Sequence, residues 1–203
     1  MGTPHIDGQA SNGTGEILLE TSRLLLRTWR LADLPTFAAL NADPEVMRYL
    51  GGTLGTEQAD ELADDIQERF LRRGFGMLPV ERRSDGAFLG ICGINYTPWY
   101  PDEEIGWRLS REHWGQGYAT ESAAAWMAWA FTELDVPRLI SVTDLPNARS
   151  IAVMKRLGMS FDHEAELEDE ADEGEEGERF HAIIHSITAE RWRGLASPRL
   201  DRR

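Results

Sequence analysis

The chain has 203 residues, 41% hydrophobic and 28% charged, with a formal net charge of −14. That length and apolar content can bury a sizeable core, which excludes a disordered chain and fits one domain or at most two small ones. Charge interrupts every apolar run, the longest being Ala123 to Phe131, well short of the roughly 20 residues of a bilayer span, so no membrane association is expected.

Met1 to Gly15 lacks a basic n-region and an apolar h-region, so it is not read as a signal peptide, and residues 1–18 are expected to form a flexible arm. Arg23 to Trp29 reads as a strand. Leu31 to Asp33 opens a short helix to about Leu40, with Asp33 as N-cap and Pro35 in its first turn. Asp43-Pro44 starts a second short helix towards Tyr49, closed by Gly51-Gly52. Thr56 to Phe70 is a longer helix, capped by Thr56, with Leu62, Ile66 and Phe70 at four-residue spacing. Phe75–Glu81 and Ala87–Asn95 are strands joined by the turn Arg83-Ser-Asp-Gly86. Cys92, the single cysteine, forms no internal disulfide and supplies no metal cluster; core filler is favoured over a catalytic thiol, and a reducing cytoplasm is the simplest home.

Pro98 and Pro101 mark a loop whose Tyr96, Trp99 and Tyr100 lie before the strand Glu104–Leu109. A glycine turn, Trp114-Gly-Gln-Gly-Tyr118, leads to a helix from Thr120 to about Leu134, in which Trp126 and Trp129 are read as core. Arg138–Thr143 is a strand and Asn147–Leu157 a helix ended by Gly158. Phe161–Leu167 and Phe180–Ile187 close the set of strands, followed by a helix around Thr188 to Arg193 and a basic tail, 194–203. Eleven carboxylates and no Lys or Arg lie between Asp162 and Glu178; without them 24 acids face 21 bases. The body is therefore nearly neutral and carries an acidic insert, 164–178, read either as a solvated loop or as an attractor for a cationic substrate or basic partner. No basic stripe with interleaved aromatics points to nucleic acid. His181 and His185 stand roughly 13 Å apart if on a strand, too far to share one metal, and no metal site is assigned. The element pattern is that of one α/β domain with a mixed sheet.

The turn Gly115-Gln-Gly117 is the most informative feature. Glycines there permit positive φ, and the free amides of a helix's first turn favour an anion, so Gly115 to Thr120 is a candidate phosphate cradle; a purely structural tight turn is the competing reading. No Gly-Lys-Ser/Thr follows, and the dinucleotide fingerprint lacks its full glycine set.

Five segments in order, Pro44-Glu-Val-Met-Arg-Tyr-Leu50, Ile105-Gly-Trp-Arg-Leu109, His113-Trp-Gly-Gln-Gly-Tyr-Ala-Thr-Glu121, Asn147-Ala-Arg-Ser150 and Lys155-Arg-Leu-Gly-Met159, resemble the GNAT superfamily of N-acetyltransferases, in particular its RimJ/RimL-like branch. The resemblance covers about Glu20 to Arg193. It implies one α+β GNAT domain, 19–193, with a mixed, mostly antiparallel seven-stranded sheet flanked by helices. It also implies acetyl-CoA as co-substrate, with the pyrophosphate on the amides of Gly115, Gln116, Gly117, Tyr118, Ala119 and Thr120, and His113 beside them. Two positions depart from the superfamily pattern: Glu112, where Gln or Arg is general, and Met159 after Gly158, where Phe is usual.

Acetyl transfer to an amine needs a neutral amine, a stabilised oxyanion and an acid for the departing thiolate. By resemblance the strand holding Trp107, Arg108 and Leu109 cradles the pantetheine and supplies an oxyanion N–H, Asn147 binds the pantetheine arm, and Ser150 protonates the sulfur. On residue type alone, Asn147 and Ser150 are equally a helix cap. Glu104 is the first choice of general base, with Glu168 or Asp169 of the acidic insert as the alternative. Trp29, Tyr49 and Tyr96 are placed on the acceptor side. The expected acceptor is a protein N-terminal α-amine; a small cationic amine (polyamine or aminoglycoside) and a catalytically silent coenzyme-binding protein stay open, as do monomer and homodimer.

Overall fold

The computed structural model describes residues 14–96, 100–168 and 179–196. Among them, a single sheet runs through the molecule in the order β1 (Ile17–Glu20), β2 (Leu24–Arg27), β3 (Met77–Arg82), β4 (Phe88–Tyr96), β5 (Glu103–Leu109), β6 (Arg138–Asp144), β8 (Arg179–Thr188), β7 (Ser160–Glu168). All neighbours are antiparallel except β5 and β6. The sheet thus has eight strands rather than seven. The additional one, β1, is a four-residue edge strand that begins inside the stretch read as arm and pairs with β2 through a register irregularity. The first residues of the acidic insert, Glu164 to Glu168, are strand β7; residues 169–178 lie outside the described part.

On one face lies α3 (Tyr118–Thr132). Its buried positions, Tyr118, Ser122, Trp126 and Ala130 with Ala123, Met127 and Phe131, recur every four residues and form one wide stripe. Trp126, fully buried, stands edge-on to Trp129 with ring centroids 5.3 Å apart. Leu24, Leu78, Cys92, Ile94, Ile105 and Leu139 of the sheet meet this stripe, so both tryptophans and Cys92 are core, and burial pushes the thiol up to about 12. Met159 joins the same cluster at 4% exposure, so the chain fills this position without the usual ring. The helices α4 (Ala148–Arg156) and α5 (Ala189–Ala196) flank it, with Trp192 on Phe131 at 5.3 Å.

The opposite face carries α1 (Leu34–Asn41) and α2 (Thr56–Arg73), packed over Trp29, Phe37, Ala59, Ala63, Ile66 and Ile91. Asp33 stands at the N-cap position of α1 as expected, with Pro35 in the first turn, while the expected cap of α2 is corrected. The Asp33 carboxylate makes no cap bond to α1; it grips the buried Arg27 guanidinium at 2.7 and 2.8 Å and accepts the Arg30 amide at 2.8 Å. Gly55, not Thr56, is the N-cap of α2, and its amide donates to the Gln58 side chain at 2.9 Å. Arg27 also donates to Glu81 at 2.6 Å, so two carboxylates and one guanidinium are sealed together between β2, β3 and the entry to α1. Asp43 to Gly52 is a series of turns instead of a helix; the Asp43 carboxylate accepts the Glu45 amide at 2.8 Å at its start. Among the described residues no helix is long and apolar enough to cross a membrane.

Candidate active site

Among the described residues, the one parallel pair of the sheet is also the one with the fewest matched residues. β5 and β6 match at Glu103–Leu139 and Glu104–Ile140, and there the pairing stops. β5 stays paired with β4 along its whole length, from Glu103 to Leu109. Past Glu104 its other edge therefore faces a gap, and alternate backbone N–H and C=O groups of Ile105 to Leu109 are left without a strand partner there.

At the mouth, Gly115 and Gly117 take φ of +72° and +84°. Gly117 is the N-cap of α3, which starts two residues earlier than the sequence pattern implied, and no side chain caps it. The first helical bond runs from the Glu121 amide to the Gly117 carbonyl, so the amides of Gly117, Tyr118, Ala119 and Thr120 have no acceptor within the helix. The turn is braced from behind. Gln116 donates to the Glu112 carbonyl at 3.0 Å, the Trp114 indole to the Leu109 carbonyl at 2.8 Å, and Arg23 to the Gln116 carbonyl at 3.1 Å. Arg23 lies over the Tyr118 ring at 4.6 Å and pairs with Glu121 at 2.6 Å, and Thr21 and Ser22 donate to the same carboxylate. Uncapped amides on a rigid, exposed turn fit a diphosphate. Gly117→Ala would force a left-handed φ on a residue with a Cβ, which also lands 3.4 Å from Arg23 Nη2. Coenzyme A affinity is expected to fall about five- to tenfold by calorimetry, for about 1 kcal/mol of backbone strain. His113 lies beside this turn, half-buried, 3.4 Å from Glu112, with its pKa lowered by burial.

On the other wall, Asn147 caps α4: its side-chain oxygen accepts the Ser150 amide at 3.2 Å and its amide donates to Thr143 at 2.8 Å. The helix-cap reading of Asn147 is thus present in the structure. The Ser150 hydroxyl makes no hydrogen bond to another described residue, which leaves its O–H as an available donor. Glu104 sits at the apex. Its carboxylate accepts the Val142 amide at 3.3 Å, across the first step at which the two strands have parted. Burial pushes the pKa up to about 7, against the smaller opposing effect of the Val142 bond. Such a group is half ionised near neutral pH, which suits a general base.

Successive β5 side chains alternate, with Ile105, Trp107 and Leu109 on the α3 side and Glu104, Gly106 and Arg108 on the α1 side. Arg108 donates to the Asn41 side-chain oxygen, a contact 67 residues apart in sequence that no local pattern announces. Of the residues expected on the acceptor side, Trp29 is 4% exposed and packs edge-on to Phe37 at 4.8 Å. Tyr49 is half-buried in the turns after α1, under the Arg48 guanidinium at 5.5 Å. Tyr96 ends β4 opposite Glu103, its side chain lying outside the described part. Glu168, the alternative base, is half exposed at the end of β7 and pairs with Arg179 at 3.5 Å; Asp169 lies outside the described residues, as does Trp99. Tyr100 covers the apolar face of β6, β7 and β8 and bonds His163 at 2.8 Å. His181 and His185 serve separate surroundings, the first exposed between Glu164 and Glu166, the second buried.

A sheet split at one parallel seam, with uncapped glycine-turn amides beside it, offers a cleft and an anion cradle side by side. The family model described as acetyltransferase (GNAT) domain matches residues 23–160, and the chain belongs to the GNAT acetyltransferases. It is similar to the uncharacterized protein YkkB of Bacillus subtilis (34% identity over 150 residues, 70% of this chain and 85% of that one). It is also similar to the uncharacterized N-acetyltransferase p20 of Bacillus licheniformis (30% over 154 residues, 74% and 85%). Among solved structures, an acetyltransferase from Agrobacterium tumefaciens superposes with a TM-score of 0.68 at 27% identity, covering 92% of this chain and 99% of that one. The RimL ribosomal L7/L12 alpha-N-protein acetyltransferase shares the fold with a TM-score of 0.69 at 18% identity, covering 85% and 94%. The protein is an N-acetyltransferase with acetyl-CoA as co-substrate.

Proposed function

We propose that this enzyme acetylates a protein N-terminal α-amine by direct attack, as a member of the RimJ/RimL-like branch, in the cytoplasm. The observation that carries the reading is the Glu104 carboxylate, placed where β5 and β6 part, with burial pushing its pKa up to about 7. An α-amine loses its proton at about 7.7–8.0 and a lysine at about 10.4, so a base of this strength is matched to the former. Acetyl-CoA supplies the activated acyl group. The chain supplies the amides of Gly117 to Thr120 for its phosphates, an open β5 edge for its arm, Glu104 to take the amine's proton and the Ser150 hydroxyl to donate a proton on the thiol side.

Thiol release tests this directly, with acetyl-CoA and a panel of peptides with free or blocked N-termini, lysine side-chain amines, polyamines and aminoglycosides. Free-terminus peptides are expected to be turned over and their blocked counterparts not. Turnover confined to polyamines or aminoglycosides would overturn the reading in favour of a small cationic acceptor, and silence across the panel with retained coenzyme binding would leave a coenzyme-binding protein without transferase activity.

A further inference from the structure

The α1 face of β5 carries two charged side chains four residues apart, Glu104 and Arg108, and neither is the other's partner. Asn41, fully buried at the end of α1, donates its side-chain amide to the Phe37 carbonyl at 2.7 Å. That bond fixes its oxygen towards Arg108, which donates to it through Nη1. The rest of the guanidinium is unengaged among the described residues: Nε is buried without a hydrogen-bond partner, and no carboxylate pairs with the group. Other arginines with buried or half-buried guanidinium groups do have one, as in Arg27 with Asp33 and Glu81, Arg82 with Asp85, and Arg138 with Asp162. Burial without a counter-charge lowers the Arg108 pKa to about 10, which still leaves it cationic at neutral pH. The nitrogen that Asn41 takes lies on the Cδ side of the guanidinium. The edge left over, Nε with Nη2, is the one that receives a carboxylate through two parallel bonds.

We propose that Arg108 is an acceptor-binding residue, and that the acceptor is an amine carrying a carboxylate several bonds from its nucleophilic nitrogen. The proposal rests on the acetyl-acceptor reading of Glu104. Positions four apart on a strand are roughly 13 Å apart at their Cα atoms, so the acceptor side has a carboxylate rooted at one end and a guanidinium at the other. The amine enters at Glu104 and the carboxylate seats on Arg108. A polycation meets the wrong charge at the second position, which makes Arg108 a selector against polyamines. An N-terminal peptide with an early acidic side chain and a free amino acid with a distal amine both satisfy this chemistry.

Matched acceptor pairs separate these outcomes. Peptides with Asp or Asn, and Glu or Gln, at their second position, and 6-aminohexanoate against its amide, are compared by kcat/KM. The acid is expected to be favoured about tenfold or more, with the ratio collapsing towards one in Arg108→Gln and partly kept in Arg108→Lys, which retains the charge without the fork. Melting curves confirm that both variants fold. A measurement independent of turnover uses the Arg108 Nε–H resonance, assigned by its loss in Arg108→Lys, titrated with glutarate and with glutaramide. A saturable shift with the diacid alone supports the anion site even if no acceptor in the panel reacts, and in that case it is the α-amine reading that fails. Equal kcat/KM for acid and amide, a preference that survives Arg108→Gln, or an Nε–H resonance unmoved by glutarate would overturn the proposal.

Discussion

Glu104→Gln is expected to lower kcat/KM for the amine acceptor by about 10²–10⁴, the range of a positioned general base, while calorimetry still detects coenzyme A binding. Glutamine keeps an oxygen for the Val142 amide, so the apex retains its shape and only the titrating group is lost. The pH profile identifies the cause. In the wild type the rate rises as pH passes through about 7, where Glu104 ionises, and this limb should vanish in the variant while the acceptor amine's own ionisation remains. Stability gives an independent reading. The folded-state pKa is raised above its unfolded value of 4.5, so the native protein holds this proton more tightly than the unfolded chain does. The contribution is therefore full below pH 4.5 and is lost as pH rises to about 7. Glu104→Gln should lose none of it, and should unfold at higher urea than the wild type at pH 8 but not at pH 4. An unchanged rate and pH profile would remove Glu104 from the reaction.

Arg27→Met is expected to cost about 3–5 kcal/mol in urea unfolding, the largest single loss of stability foreseen for a non-catalytic position. Arg27 is 1% exposed and holds both Asp33 and Glu81. Removing it leaves two enclosed carboxylates with only Arg30, which is bound to Glu81 at 2.5 Å and half exposed, as a remaining cation. Much of a typical domain's margin of about 5–15 kcal/mol would go. A loss below about 1 kcal/mol would show that the carboxylates find solvent or protons without rearranging the fold.

Local grammar made much of this molecule legible. The glycine turn, the tryptophan-bearing helix and the strand before it are written in consecutive residues, and the structure places them as read, with α3 starting at Tyr118 because Gly117 itself takes the N-cap conformation. The features that were missed depend on distant partners. Asp33 holds the N-cap position as read, but its carboxylate turns inward to Arg27, and Trp29 is buried against Phe37. β1 has four residues and a half-exposed pattern, too short for alternation to show. At the candidate site, the resemblance pointed to Asn147 and Ser150, and Glu104 at the head of its strand was the first choice of base. What could not be read was the surroundings of the strand: the Val142 amide lies 38 residues from Glu104, and Asn41 lies 67 from Arg108. Periodicity carries no information over such separations.

Two residue pairs stitch β5 to β6, so the sheet is a book of two leaves with a very short spine. Beneath α3 the leaves are glued by a shared oily layer that includes Ile105, Leu139 and Ile187; on the opposite cover nothing comparable joins them among the described residues. A guest slipped between the pages touches both at once.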